Sequence, residues 1–234
     1  PESMIRGFDR HGVRVVHGWG MTEAAPLCTL GQPKSYMREW TAGQTYTLRA
    51  TQGLPGPFLD FRAMQEETEV PWDGKTKGEL QVRGPWVAAA YYNQPENQEP
   101  WTKDGWFKTG DLVTIDPEGY IKIVDRIKDL INSGGEWISS LDLENALISH
   151  PEIQEAAVIA VPHPEWQERP LALLVSNQNH KPSPEELRGF LEKRFARWQV
   201  PDIFLFREKI NRTSTGKLLK GELRKEYRNW KWKL

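Results

Sequence analysis

The chain has 234 residues, 31 Lys or Arg against 32 Asp or Glu, and a net charge of −1. That length suffices for one large or two small domains with a real core, and so even a balance gives no global reason to seek nucleic acid or an anionic membrane. The single cysteine, Cys28, excludes an intramolecular disulfide and fits a reducing, cytoplasmic setting. The five histidines are too scattered for a local metal cluster. No apolar run approaches the ~18 residues of a membrane span, and no signal-peptide pattern opens the chain. It begins on Pro1, from which a fragment or a processed product is expected.

Residues 13–17, Val-Arg-Val-Val-His, read as a short buried strand ending at Gly18-Trp19-Gly20. Thr22 can cap the next segment, and Pro26 limits any helix there. Residues 31–57 are rich in Gly, Pro and Thr, carry little periodicity, and read as irregular. Strands are expected over 58–64 and over 78–83, the second after the turn signal Asp73-Gly74. Residues 112–115 and 120–124 flank Asp116-Pro117-Glu118-Gly119, whose turn chemistry predicts a hairpin. The polar run Asp125-Arg126-Ile127-Lys128-Asp129 is a hinge candidate. Ser139 or Ser140 can cap a helix to about His150, with Leu143, Ala146 and Leu147 on one face. Residues 155–161, 171–176 and 203–206 read as buried strands. Residues 184–198 read as an amphipathic helix whose Pro184-Glu185-Glu186 suits a first turn, and 218–227 as a closing helix. Helices and strands alternate from about residue 132, so this part reads as a small α/β domain.

Several motifs carry possible chemistry. Gly18-Trp19-Gly20-Met21-Thr22-Glu23 fails as a dinucleotide fingerprint, because Glu23 holds the third glycine position. What remains is an aromatic that can stack on a purine, a hydroxyl that can donate to phosphate, and a carboxylate that can hold Mg²⁺; a plain glycine turn with a helix cap is the alternative. In Thr109-Gly110-Asp111 the acceptor-only carboxylate can take both hydroxyl protons of a ribose, or it is a turn aspartate capping loop amides. The run 125–129 is either a linker or a salt-bridged surface. In Ser133-Gly134-Gly135-Glu136-Trp137 the paired glycines let a backbone or narrow ligand approach closely; otherwise they form a tight turn with Trp137 in the small domain's core. Ser214-Thr215-Gly216-Lys217 is not a Walker A loop, having no glycine five residues before Gly216 and no Ser or Thr after Lys217. Lys217 is still a flexible point charge suited to a phosphoryl centre, or a surface lysine before a helix. Residues 217–234 carry seven cations against Glu222 and Glu226. Trp230 and Trp232 among Arg228, Lys231 and Lys233 offer a lipid-surface reading beside that of an ordinary basic terminal helix.

In this order and spacing the motifs resemble the acyl-adenylate-forming, or AMP-binding, enzymes: acyl-CoA synthetases, adenylation domains and luciferases. The resemblance runs from Gly18-Trp19-Gly20-Met21-Thr22-Glu23 through Gly78-Glu79-Leu80, residues 105–111, Gly119-Tyr120 and Asp125-Arg126 to Gly216-Lys217. Residues 133–140, with His163-Pro164-Glu165-Trp166-Gln167-Glu168-Arg169-Pro170, are most similar to the medium- and long-chain fatty acyl-CoA ligases. The fold this implies is α/β (α+β): residues 1–125 as the C-terminal remnant of the large AMP-binding domain, 126–131 as a hinge linker, and 132–234 as a small mobile lid.

The resemblance also implies roles. Trp19, between Gly18 and Gly20, replaces the adenine-stacking tyrosine. Thr22 contacts phosphate, Glu23 binds Mg²⁺, and Asp111 holds the ribose with Arg126 assisting. Lys128 is the hinge residue, and Lys217 serves the adenylation step. Gly135, with Trp137 beside it, lies on the loop lining the pantetheine channel. The implied partners are ATP, coenzyme A, a fatty acid and the missing N-terminal part of the same domain, with no nucleic acid. Three departures stand out. The phosphate-gripping Ser/Thr/Gly-rich loop is not in these 234 residues, Asn211 stands for a proline, and Asn132 stands for a lysine. A non-catalytic nucleotide- or acyl-binding or interaction module is therefore the alternative, and the 234 residues by themselves are not expected to be fully active.

Overall fold

The computed structural model describes residues 2–94, 99–177, 181–214 and 216–232. Thr215 and Lys233, named above, lie outside the described residues. The chain forms two compact units, 1–127 and 128–234.

The first unit opens with helix α1 (Glu2–Asp9) and a three-stranded antiparallel sheet of β1 (Gly18–Gly20), β2 (Leu27–Leu30) and β3 (Leu54–Pro55), in that order. Residues 13–17 are not the strand that their valines predict. No described strand pairs with them, and Val13 and Val16 are exposed. Thr22 does not cap: the 3₁₀ turn Thr22–Ala24 comes after Met21, with no side-chain cap. Within the stretch expected to be irregular lies a helix, α2 (Ala42–Arg49). The Thr41 side chain accepts from the Gln44 amide and Gln44 answers the Thr41 amide, a capping box that offsets the scarcity of apolar side chains.

Five antiparallel strands make the rest of this unit: β4 (Asp60–Gln65), β5 (Thr68–Glu69), β6 (Gly78–Arg83), β7 (Phe107–Ile115) and β8 (Ile121–Arg126), in the order β5-β4-β6-β7-β8. The expected hairpin is β7–β8, and Gly119 takes a φ of +84° in its turn. Ala63, Leu80, Val82, Phe107, Val113 and Ile121 form its core.

The second unit has a five-stranded sheet with α-helices on both faces. The hairpin β9 (Ile131–Ser133) and β10 (Glu136–Ile138) leads into α3 (Ser140–Ile148), capped by Ser139. The long hairpin β11 (Ile153–His163) and β12 (Gln167–Ser176) comes next, then α4 (Pro184–Leu191), β13 (Ile203–Phe206) and α5 (Lys220–Glu226). The order is β10-β9-β12-β11, with β13 parallel to β12. Period-2 alternation sorts the two faces. Ala156, Val158, Ala172 and Leu174 meet α3 and α4, whereas Ala157, Ile159, Leu171 and Leu173 meet Ile210 and Leu223. Helix α4 stops at Leu191, short of the predicted 198. The chain continues in a hydrogen-bonded turn, the Phe195 amide donating to the Leu191 carbonyl at 3.0 Å, and Phe195 packs against the same core.

Among the described residues no helix is long and apolar enough to cross a membrane. Trp230 and Trp232 pack on the second unit's own core, and the Trp232 indole donates to the Pro162 carbonyl at 2.7 Å. That leaves Arg228 and Lys231, but not the two indoles, facing outward.

Candidate active site

In the first unit a bulge aims the central carboxylate. Glu79 pairs with Leu112 and Gln81 with Lys108, so Leu80 alone faces Thr109, Gly110 and Asp111. Gly110 supplies the left-handed φ of +70°, and the Thr109 hydroxyl donates to the Leu80 carbonyl at 2.8 Å. Such a bulge re-aims the side chain next to it. Asp111 is 2 % exposed and sits opposite Arg126 on β8. Its Oδ1 lies 2.9 Å from Arg126 Nε, and its Oδ2 accepts from the Trp19 indole N–H at 2.9 Å. Trp19, Asp111 and Arg126 are thus brought together from three strands.

The indole of Trp19 meets Phe61 edge-on at 6.4 Å. Strand pairing explains the flanking glycines: a Cβ on Gly20 would lie 1.8 Å from the Pro26 carbonyl oxygen, and one on Gly18 would lie 2.8 Å from that of Thr29. Thr22 is exposed. Glu23 is half-buried and accepts from the Tyr91 hydroxyl at 2.8 Å, a partner that no local motif signals. The Glu23 carboxylate, and then burial, push the Tyr91 phenol above its usual range and keep it a donor. Among the described residues no group of three or more His, Cys, Asp or Glu is placed to hold a metal ion. One carboxylate fits Mg²⁺ only in the manner in which that ion binds with nucleotides, through one or two carboxylates plus substrate phosphates and water.

In the second unit Gly134 and Gly135 turn the β9–β10 hairpin, both at positive φ. Asn132 accepts from the Gly135 amide at 3.0 Å, a bond that a lysine, having no acceptor, cannot make. Trp137 is 56 % exposed and no part of the core, which corrects that expectation. Beside the hairpin opens a cavity of about 700 Å³. Its walls include Gly134, Trp166, Arg169, Trp198 and Trp232. A Cβ on Gly134 would fall 2.7 Å from the Trp166 ring. Gly134→Ala is therefore expected to cost about 1–2 kcal/mol for its left-handed backbone and to tip Trp166 out of place. A urea midpoint unchanged from wild type would contradict this.

Lys217 is exposed on a turn closed by pairing of Arg212 with Leu218. The Thr213 hydroxyl accepts from the Lys217 amide at 3.0 Å, and Arg212 donates to the Gly216 carbonyl at 2.8 Å while it pairs with Glu155 at 2.7 Å. Lys128 is exposed in the 3₁₀ turn Ile127–Asp129, where one unit ends and the next begins.

The fold is that of the adenylate-forming enzymes. The pattern of the AMP-binding enzymes matches residues 1–92, and that of the AMP-binding enzyme C-terminal domain matches residues 142–217. Both matches are to the AMP-binding enzymes. It is 50 % identical over 233 residues to a long-chain-fatty-acid–CoA ligase of Thermus thermophilus, covering 98 % of this chain and 43 % of the relative. It is 45 % identical over 231 residues to a 3-methylmercaptopropionyl-CoA ligase of Ruegeria lacuscaerulensis, covering 98 % and 42 %. Among solved structures, ATP-bound MatB from Rhodopseudomonas palustris aligns with a TM-score of 0.84 at 28 % identity, over 97 % of this chain and 44 % of that one. The o-succinylbenzoate CoA synthetase of Bacillus subtilis with its acyl-adenylate aligns with a TM-score of 0.81 at 30 % identity, over 95 % and 43 %. The chain thus spans less than half the length of these relatives.

Proposed function

We propose that these residues serve an ATP-dependent fatty acid–CoA ligase, active in a chain of the relatives' full length. A carboxylate attacks the α-phosphorus of ATP and pyrophosphate leaves; the CoA thiol then attacks the acyl-adenylate and AMP leaves. The observation that carries the reading is the buried Asp111, fixed by Trp19 and Arg126. A carboxylate held on both oxygens is fixed in direction before a ligand arrives, and an acceptor-only group so fixed suits the hydroxyls of a ribose. The exposed face of Trp19 stacks on adenine. Thr22 donates to phosphate, and Glu23, steadied by Tyr91, holds Mg²⁺, which neutralises phosphate charge when bound. Lys217 neutralises charge building between the α-phosphate and the carboxylate. The cavity beside the Gly134–Gly135 turn takes CoA, its purine against the indole faces and its pantetheine past Gly135 and Trp137.

The fatty-acid assignment rests on similarity to ligases named for long- and medium-chain acids, the latter from Ectopseudomonas oleovorans at 42 % identity. The case for a non-catalytic module rested in part on Asn132, and that residue has a job of its own in closing the hairpin. Fatty-acid-dependent exchange of pyrophosphate into ATP by the full-length protein tests the reading; no exchange with any fatty acid would remove it.

The two half-reactions need different faces of the second unit, so it swings about Lys128. Lys128→Pro fixes φ in the connecting turn and is expected to leave one half-reaction running while the other falls by roughly 10²-fold. Normal rates in both would take Lys128 out of the hinge.

A further inference from the structure

We propose that Arg169 is a positioning residue for the thioester half-reaction, tying the Gly134–Gly135 hairpin to the segment 198–202 so that two walls of the cavity keep one spacing. The proposal rests on the ligase reading above, and on the placing of CoA in this cavity.

Arg169 lies on β12 and is 7 % exposed. Its guanidinium meets four acceptors from two separate stretches of chain. Nε donates to Asp202 Oδ2 at 2.6 Å, and Nη1 to the Ser133 hydroxyl at 2.9 Å and the Trp198 carbonyl at 2.5 Å. Nη2 donates to the Val200 carbonyl at 3.2 Å. Ser133 ends the strand that enters the glycine turn, and Trp198 presents its ring to the cavity. Neighbours of Arg169 hold the same hairpin from one side only. The Trp166 carbonyl accepts from the Gly134 amide at 2.9 Å, and Glu168 Oε2 from the Asn132 amide at 2.9 Å. Among these contacts Arg169 alone reaches both walls.

Taking an arginine out of water is costly, and an apolar side chain of similar volume packs as well or better. Burial of this one is explained by geometry. A planar guanidinium has five N–H groups in a fixed fork, so it sets the distance and angle between everything it binds. A lysine offers one rotating point and cannot span the four acceptors. The Asp202 carboxylate is half-exposed and serves to balance the charge.

The test uses the full-length ligase carrying Arg169→Met, Arg169→Lys or Ser133→Ala. Two rates are read: pyrophosphate exchange, and acyl-CoA formation from supplied acyl-adenylate as CoA is varied. Both arginine variants are expected to raise KM for CoA by about tenfold or more, with exchange within about twofold of wild type. A purely structural arginine would lower both rates together, and that result would overturn the proposal. Ser133→Ala leaves the guanidinium and its charge partner in place and removes only the hairpin tie. It is expected to give a smaller rise in the same constant, and it decides the matter if the arginine variants do not fold. An unmoved CoA constant in an active Ser133→Ala protein overturns the proposal alone. A wild type inactive in both assays overturns the ligase reading and this proposal with it.

Discussion

On the proposed ligase function, Lys217→Ala in the full-length protein is expected to slow adenylate formation by about 10²–10³-fold, the common cost of removing one donor aimed at developing charge. Thioester formation from supplied acyl-adenylate should stay near wild type. The split arises from the site. Lys217 is exposed on a turn whose backbone is held by Thr213 and Arg212, so the amine is removed without disturbing the loop that carries it. Burst measurement of pyrophosphate release, set against acyl-CoA formation from the adenylate, checks the prediction. Equal loss in both halves would mean that Lys217 holds the second unit together and does no chemistry.

Lys220, three residues on, should behave in the opposite way. Its Nζ lies 2.7 Å from Glu144 Oε1 and 2.8 Å from the Ser140 hydroxyl, anchoring the start of α5 to α3. Glu144 is buried, and its Oε1 also accepts from the Val158 amide at 2.7 Å. Lys220→Met strands that carboxylate in the core, and breaking one side of a buried pair costs about 3–5 kcal/mol. The double variant Lys220→Met with Glu144→Leu removes both charges and should recover most of the loss, leaving the unpaired Val158 amide as the residual. Urea unfolding of the second unit gives both numbers. A single variant as stable as wild type would show that water reaches Glu144.

The strands were legible because local pattern survives without tertiary help: 78–83 by period-2 alternation and 203–206 by a short continuous apolar run appear as read, and the β7–β8 hairpin turns where Asp116 to Gly119 predict. Helix α2 was not, although Thr41 and Gln44 spell its capping box, because Leu48 is its one buried apolar side chain and gives no period to see. Residues 13–17 misled for the reverse reason. Their valines look like a buried strand, but a strand needs a neighbour to pair with, and sequence does not supply one. Arg169 was in plain view within the motif ending Glu168-Arg169-Pro170. Only burial and four acceptors mark it off from the other arginines.

The motifs and their spacing carried the resemblance to the AMP-binding enzymes, and residue types marked which side chains are candidates for chemistry, since both can be read from local pattern. What tertiary structure decided is direction. It turned the Trp19 N–H onto Asp111, left Trp137 in solvent, folded Trp230 and Trp232 back on the core, and left Lys217 exposed while it paired Lys220 with Glu144. The physical reason is that a side chain's partners come from segments far away in the chain. The indole that holds Asp111 is 92 residues distant, and no local rule reaches that far.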